Sequence, residues 1–269
     1  MALIPSPAAR YITVHHTQRL SSSLHRVYFR PEDCSGLSAE HHGAHIKLFF
    51  PDQISHRPLL PSRNAQGKII WPEGKKPVTR TYTVRQFLAE EQLLAIDFVL
   101  HPTFGIAADW ARHAQPGHVL GLAGPGGQAR FHPNAEYWIL VGDLSALAMI
   151  AATLEQLPTD AKGQVWLEIN APHEQIDLLH PTGVEVHWQI TNADFNEKIK
   201  TSLQQLNWDT QQISVTLAGE NARVIALRKI FRQQYHVPKS YLYAVPYWKQ
   251  GETEENYHQQ RHHVMDTDD

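Results

Sequence analysis

The segment Arg80-Thr81-Tyr82-Thr83-Val84-Arg85 concentrates more usable chemistry than any other part of the chain. On a strand, Arg, Tyr and a hydroxyl residue at alternate positions project from one face, because strand side chains alternate with period two. A guanidinium, a flat amphipathic ring and a hydroxyl on one face make a seat for a flavin. The ring packs on the isoalloxazine or ribityl portion, the hydroxyl reaches a ring heteroatom, and the Arg neutralises a pyrophosphate. The pattern R-x-Y-[ST] alone arises readily by chance, and Tyr and Thr are also ordinary strand formers. Its meaning therefore depends on the segments downstream of it.

Two textures of chain flank this segment. From about Arg10 to Phe131 the sequence alternates and is broken by turn residues. Ile46, Leu48 and Phe50 alternate with His45, Lys47 and Phe49, and Leu94, Ile96, Phe98 and Leu100 alternate with Ala95, Asp97 and Val99. Half-buried antiparallel strands read this way, and together they predict a β-barrel with a long loop between about Pro51 and Lys76. From about Tyr137 the pattern changes. Trp138-Ile139-Leu140-Val141 is a continuous apolar run ending in Gly142-Asp143, as a buried parallel strand requires. A helical stripe of Leu144, Leu147, Ile150, Ala151 and Leu154 comes next, and strand-like runs recur at Val165–Ile169, Val184–Ile190, Ile213–Ala218 and Tyr241–Val245. Helical stretches lie between them at Phe195–Leu206 and Ala222–Tyr235. Alternating β and α units predict a parallel sheet covered by helices, with a nucleotide at the carboxyl ends of the strands.

Composition narrows the chemistry. The chain has 269 residues, enough for two domains, and a formal net charge of −3, which argues against non-specific binding of nucleic acid. No window approaches the roughly 20 apolar residues that span a bilayer, and no signal pattern opens the chain, so a cytoplasmic protein without membrane insertion is expected. Cys34 is the single cysteine, so disulfides within the chain and a cysteine-ligated iron–sulfur cluster are both ruled out. The 18 histidines include the pairs His15-His16, His41-His42 and His262-His263. Adjacent histidines on a strand point to opposite faces, and no zinc spacing is present, so no metal site is expected.

With these segments assembled, the chain resembles the siderophore-interacting proteins, ferric-siderophore reductases of the ferredoxin–NADP reductase superfamily. Arg80-Thr81-Tyr82-Thr83 resembles the family's flavin motif, and Asp97 to His101 resembles its next flavin-side strand. Gly105 to Ala111, Pro116-Gly117 and Gly121 to Pro125 resemble its phosphate-side segment. Gly142 to Leu147 resembles the opening of its nicotinamide domain, and Ala218-Gly219-Glu220 and Tyr247 to Gly251 complete the set. Some positions depart from the pattern. Ala108 stands where a Ser or Thr is common, Leu144 for a usual Glu, Ala148 for a usual Pro, and Gly126 for a common Arg.

The resemblance implies an N-terminal antiparallel β-barrel FAD domain over 8–132, a C-terminal Rossmann-like parallel α/β nicotinamide domain over 133–251, and a polar helix and tail over 252–269. It implies an FAD-dependent NAD(P)H:ferric-siderophore oxidoreductase acting as a monomer. A general flavin or ferredoxin-type reductase and a non-catalytic ferric-siderophore carrier are the alternatives. Expected FAD contacts are Arg80, Thr81, Tyr82, Thr83, Val99, His101 and Trp110, with the backbone of Ala107, Ala108 and Asp109 on phosphate. Asp143, Ser145, Ala146, Glu168, Gly219 and Glu220 are expected at the nicotinamide nucleotide, and Tyr247 and Trp248 beside the flavin. Each also has a plainer role open to it: Trp248 as a core aromatic, His101 as a turn residue, Asp143 as a strand end that caps the next helix. Lys47, Arg130 and Lys249 are expected at the chelate, converging near the flavin edge as basic residues of these regions do in the resembled family. Glu168 and Glu174 lie after the second strand with no Arg or Lys between Lys162 and Lys198, which predicts NADH over NADPH unless a basic residue of the last helix, such as Arg223 or Arg228, reaches across.

Overall fold

The computed structural model describes residues 9–257, apart from 55, 65, 73–74, 102–104, 128, 193 and 255. The chain forms two compact units that divide between Gly127 and Gln128.

In the first unit, seven strands form one antiparallel sheet. They are β1 (Arg10–Arg19), β2 (Leu24–Pro31), β3 (His45–Phe49), β6 (Thr79–Thr83), β7 (Gln86–Leu88), β8 (Leu93–Val99) and β9 (Val119–Gly126), in the order β6-β3-β9-β1-β2-β8-β7. The end strands β6 and β7 are joined by only Val84 and Arg85, so the two edges of the sheet must come together. That short link curls the sheet into a barrel. Inside it, Ile12, Val27, Phe29, Ile46, Leu48, Leu94, Ile96, Phe98 and Leu122 are completely buried. The helix α1 (Ile106–Arg112) closes the core with Trp110, whose ring centroid lies 5.9–6.1 Å from those of Phe50, Phe98 and Phe29.

Strand β8 is not half-buried, as its alternation suggested. Ala95 and Asp97 on its second face are buried as well. That face can be covered because Ala95 is small and Asp97 is neutralised by Arg26 of β2, through two hydrogen bonds of 2.6 and 2.8 Å. The long loop after β3 is not structureless either. It carries a hairpin of β4 (Ser62–Arg63) and β5 (Ile69–Ile70), whose turn is held by Asn64 Oδ1 accepting from Gln66 and Lys68. One irregularity interrupts β1. Val14 pairs with Phe29 and His16 with Tyr28, so His15 is an extra residue, a β-bulge.

In the second unit, β10 (Tyr137–Asp143), β11 (Lys162–Ile169), β12 (Gly183–Ile190), β13 (Ile213–Glu220) and β14 (Leu242–Trp248) form a parallel sheet ordered β12-β11-β10-β13-β14. The helices α2 (Leu147–Leu154), α3 (Phe195–Leu203) and α4 (Asn221–Gln233) connect them. Strand order reverses between β10 and β13, which is where open α/β sheets form a crevice at the carboxyl ends.

Helix boundaries differ from the sequence reading for local reasons. α2 is buried on every side rather than along a stripe. α3 stops at Leu203, whose carbonyl accepts from Trp208 Nε1 at 2.8 Å. α4 stops at Gln233, ahead of His236, which takes a left-handed φ of 50°. The start of the expected polar tail packs back, since Tyr257 is buried and its hydroxyl donates to Asn221 Oδ1. The rest of that tail lies outside the described residues. No helix among the described residues is long and apolar enough to cross a membrane.

Candidate functional site

In the first unit, β3 and β6 pair Ile46 with Tyr82, Lys47 with Thr81, and Leu48 with Arg80. Opposed residues share a face, so Arg80 and Tyr82 stand on the side of Ile46 and Leu48. The Tyr82 ring packs on the core, 4.5 Å from Phe98. Lys47, Thr81 and Thr83 occupy the other side, where Lys47 Nζ donates to Thr81 Oγ1 at 2.5 Å and Thr83 is buried. One expectation is corrected here: ring and guanidinium share a face, but both hydroxyls lie opposite, because a single residue step along a strand reverses the side. Arg80 is half-buried, and its Nη1 donates to the Thr79 carbonyl at 2.9 Å.

Val99, half-buried, pairs with Leu24 at the end of β8. The exposed His101 lays its imidazole against Gly105, where a Cβ would come within 2.6 Å of the ring. Gly105 leads into α1, and the Asp109 amide donates to the Gly105 carbonyl at 2.7 Å. That amide is spent closing the first helical turn. Of the three expected to meet phosphate, only those of Ala107 and Ala108 precede the intrahelical ladder. The side chains of Ala107, Ala108 and Trp110 are buried, so Trp110 seats the helix rather than reaching outward. A guanidinium, an aromatic ring and first-turn amides beside a bare glycine fit a planar cofactor that carries phosphate.

In the second unit, the crevice end of β10 is organised by one carboxylate. Asp143 Oδ1 accepts from the Ser145 amide (2.8 Å) and hydroxyl (2.5 Å). Its Oδ2 accepts from the Glu220 amide (2.9 Å) and from Trp248 Nε1 (2.8 Å). Gly219 has a φ of +128°, and a Cβ there would lie 2.5 Å from Asp143 Oδ2, so only glycine fits. Gly142 is needed for a second close approach, since its Cβ would strike Ile150 and Ala146. Ala146 is fully buried, so its side chain meets no ligand. Trp248 is 43% exposed, so it is not the core aromatic of the plainer reading. Asp143 thus ties together Ser145, Glu220 and Trp248, three residues that the sequence separates widely.

Glu220 caps α4, its Oε2 accepting from the Ala222 (2.6 Å) and Arg223 (3.2 Å) amides. Glu168, at the end of β11, is gripped by Arg223 through two hydrogen bonds, Nε–Oε2 at 3.2 Å and a shorter Nη2–Oε1 contact. Burial pushes the Glu168 carboxyl above the ordinary carboxylate range, and Arg223 pulls it back. Arg223 also donates to Asn196 Oδ1 and stacks over Phe195 at 4.8 Å. A cavity of about 10 Å³, about the size of one water, opens between Asp143, Glu168, Glu220 and Arg223. Glu174 is buried and accepts from the Asn170 amide at 2.7 Å. The corner read as acidic is therefore an ion pair beside a buried carboxylate. These acids fit the hydroxyls and amide of a nicotinamide nucleoside better than a bare phosphate.

Tyr247, half-buried, hydrogen-bonds Tyr243, and burial raises its phenol well above the ordinary range. Arg130 lies near both tyrosines, and burial lowers its pKa. Lys249 Nζ is 3.9 Å from Glu252 Oε1. Tyr243 was missed by the sequence reading, although the two-residue period of β14 puts it on the face of Tyr247.

Comparison with known proteins agrees with this geometry. Residues 13–129 match the family model of the siderophore-interacting FAD-binding domain, and residues 135–251 match that of the siderophore-interacting protein. The ferric vibriobactin reductase ViuB of Vibrio cholerae is 42% identical over 250 residues, 92% of each chain. The NADPH-dependent ferric-chelate reductase of Escherichia coli is 30% identical, covering 89% of this chain and 92% of that one. The crystal structure of the siderophore-interacting protein SipS from Aeromonas hydrophila superposes with a TM-score of 0.80 at 33% identity, over 98% of this chain and all of that one. An antiparallel barrel bearing the Arg80–Thr83 strand, a reversed-order parallel sheet bearing Asp143, and these matches along nearly the whole chain lead to one conclusion: the chain belongs to the siderophore-interacting protein family.

Proposed function

We propose that this protein is an FAD-dependent NAD(P)H:ferric-siderophore oxidoreductase that reduces chelated Fe(III) to Fe(II) and so releases iron in the cytoplasm. The observation that carries this reading is the 42% identity, over 92% of both chains, to a ferric vibriobactin reductase. The substrate chemistry explains why reduction is enough. Ferric iron is held by anionic oxygens, and the lower charge of ferrous iron weakens every one of those bonds. When bound, FAD supplies the exchange between a two-electron hydride donor and a one-electron acceptor. No side-chain nucleophile or acid–base pair is required of the protein.

The residues have binding and positioning roles. Arg80 neutralises the FAD pyrophosphate, aided by the amides of Ala107 and Ala108, while Tyr82, Val99 and His101 flank the rest of the cofactor and Thr81 and Thr83, whose side chains lie on the other face of β6, offer it backbone groups alone. Asp143, Ser145, Gly219 and Glu220 shape the nicotinamide crevice, and the aromatic rings of Tyr247 and Trp248 cover flat apolar surface. Lys47, Arg130 and Lys249 recognise the anionic oxygens of the chelate. The FAD domain is assigned to 8–132 and the nicotinamide domain to 133–251, in a chain that acts as a monomer.

NADH preference was expected from Glu168 and Glu174. With Glu168 paired to Arg223 and Glu174 buried, that corner is no simple anionic barrier to a 2′-phosphate. Arg223 is the residue we assign to the choice between NADH and NADPH.

The test is to mix FAD-loaded protein with NADH or NADPH, a panel of ferric hydroxamate, catecholate and hydroxycarboxylate chelates, and a ferrous-specific dye. Nucleotide-dependent colour is the expected result. Tight chelate binding without colour would make the protein a carrier, and turnover of free flavin alone would make it a general reductase.

A further inference from the structure

The β-bulge in β1 places two adjacent imidazoles where a regular strand would separate them. Because His15 is the extra residue opposite Phe29 and Tyr28, His15 and His16 emerge on the same side. Their Nδ1 atoms lie 2.8 Å apart, with the rings edge-on at 78°. Neighbouring histidines point to opposite faces only where the two-residue period of a strand is unbroken, and the bulge breaks that period at this point.

We infer that His15 and His16 form a bidentate imidazole site for a divalent copper ion, open to solvent at its remaining positions. In the metal-free pair the 2.8 Å separation is a hydrogen bond, and a turn of the His15 ring brings both Nδ1 lone pairs toward a common ion. Imidazole nitrogens suit copper, which stands above nickel and zinc in the affinity order of divalent first-row metals. The site is also braced. The His16 ring stacks on Tyr28 at 4.1 Å and 11°, and the Tyr28 hydroxyl donates to Gln18 Oε1 at 3.3 Å. Stacking fixes the ring plane of one ligand, as outer-shell contacts do at built metal sites.

Proton balance is undemanding. In the metal-free pair one Nδ1–H donates to the other Nδ1. Metal binding requires that donor ring to hold its proton on Nε2 instead, with no net proton released. The pair His41–His42 lacks this freedom: His42 Nε2 accepts from the Phe87 amide at 2.9 Å, and His41 Nδ1 bonds Ser38 Oγ at 3.0 Å.

The experiment uses the full chain, stripped with EDTA and titrated with copper sulfate, followed by electron paramagnetic resonance and by a competing chelator. The expected first equivalent shows tetragonal copper with two nitrogen donors. His15→Gln and His16→Gln should each weaken it roughly a hundredfold, because the second ligand no longer acts at high effective concentration. His41→Gln should leave it unchanged. Both ligand side chains are exposed, so these variants keep the core intact. A first equivalent that survives in His15→Gln and His16→Gln, or that shows a single nitrogen donor, overturns the proposal. Because the readout is copper binding alone, its outcome is independent of whether the protein reduces ferric chelates.

Discussion

At the scale of residues, the choice of nucleotide comes down to what Arg223 does with its charge. It faces Glu168, and a 2′-phosphate would compete for the same guanidinium. Arg223→Ala would leave Glu168 uncompensated at that corner. We expect kcat/KM for NADPH to fall roughly ten- to a hundredfold relative to that for NADH, the range of one charge-assisted contact. Steady-state kinetics with both nucleotides measure that ratio, and an unchanged ratio would remove Arg223 from the adenosine end. Reading the sequence found Glu168 and offered Arg223 or Arg228 as a cation that could reach across, but could not choose between them, because Glu168 and Arg223 lie 55 positions apart and meet only in the folded sheet and helix. The same limit hid the role of Asp143. Its type and place after Gly142 were legible, whereas four donors from Ser145, Glu220 and Trp248 converge only in three dimensions.

At the scale of elements, the period of the sequence was a good guide wherever one face was exposed and a poor one wherever both were covered. Ile46 and Leu48 read correctly as inward-facing, but β8 and α2 are buried all round, so their apolar residues carry no directional signal. In β8 the buried second face depends on the Arg26–Asp97 pair, whose side chains are 14% and 3% exposed. Asp97→Ala would strand a buried guanidinium and should destabilise the fold by about 3–5 kcal/mol. Replacing both partners, Arg26→Met with Asp97→Leu, should restore most of that loss. Urea denaturation of the two variants tests the claim, which fails if the double variant is as unstable as the single one. The continuous run Trp138 to Val141 was legible as a parallel strand for the converse reason, since such strands are apolar on both faces.

At the scale of the whole molecule, the formal net charge of −3 means that attraction for an anionic chelate has to be local. Local fields from exposed cations are screened over a Debye length of about 8–10 Å near physiological salt. The KM for an anionic ferric chelate should therefore rise with ionic strength, and the double substitution Lys47→Ala with Lys249→Ala should raise KM at low salt and flatten that dependence. Flavin reduction by the nicotinamide nucleotide, followed by absorbance, should hardly change. A double variant with unaltered KM at low salt would separate these lysines from chelate recognition.

The bulge at His15 also bears on how the chain tolerates changes in length. On either side of it, β1 and β2 are in perfect register, Val14 with Phe29 and His16 with Tyr28. β1 is thus one residue longer than its pairing with β2 requires. Deleting His15 would join two stretches of ladder that already agree, with no shift of Ile12 or Val14 away from the core. This is a position where the gene can lose a codon while the architecture stays closed.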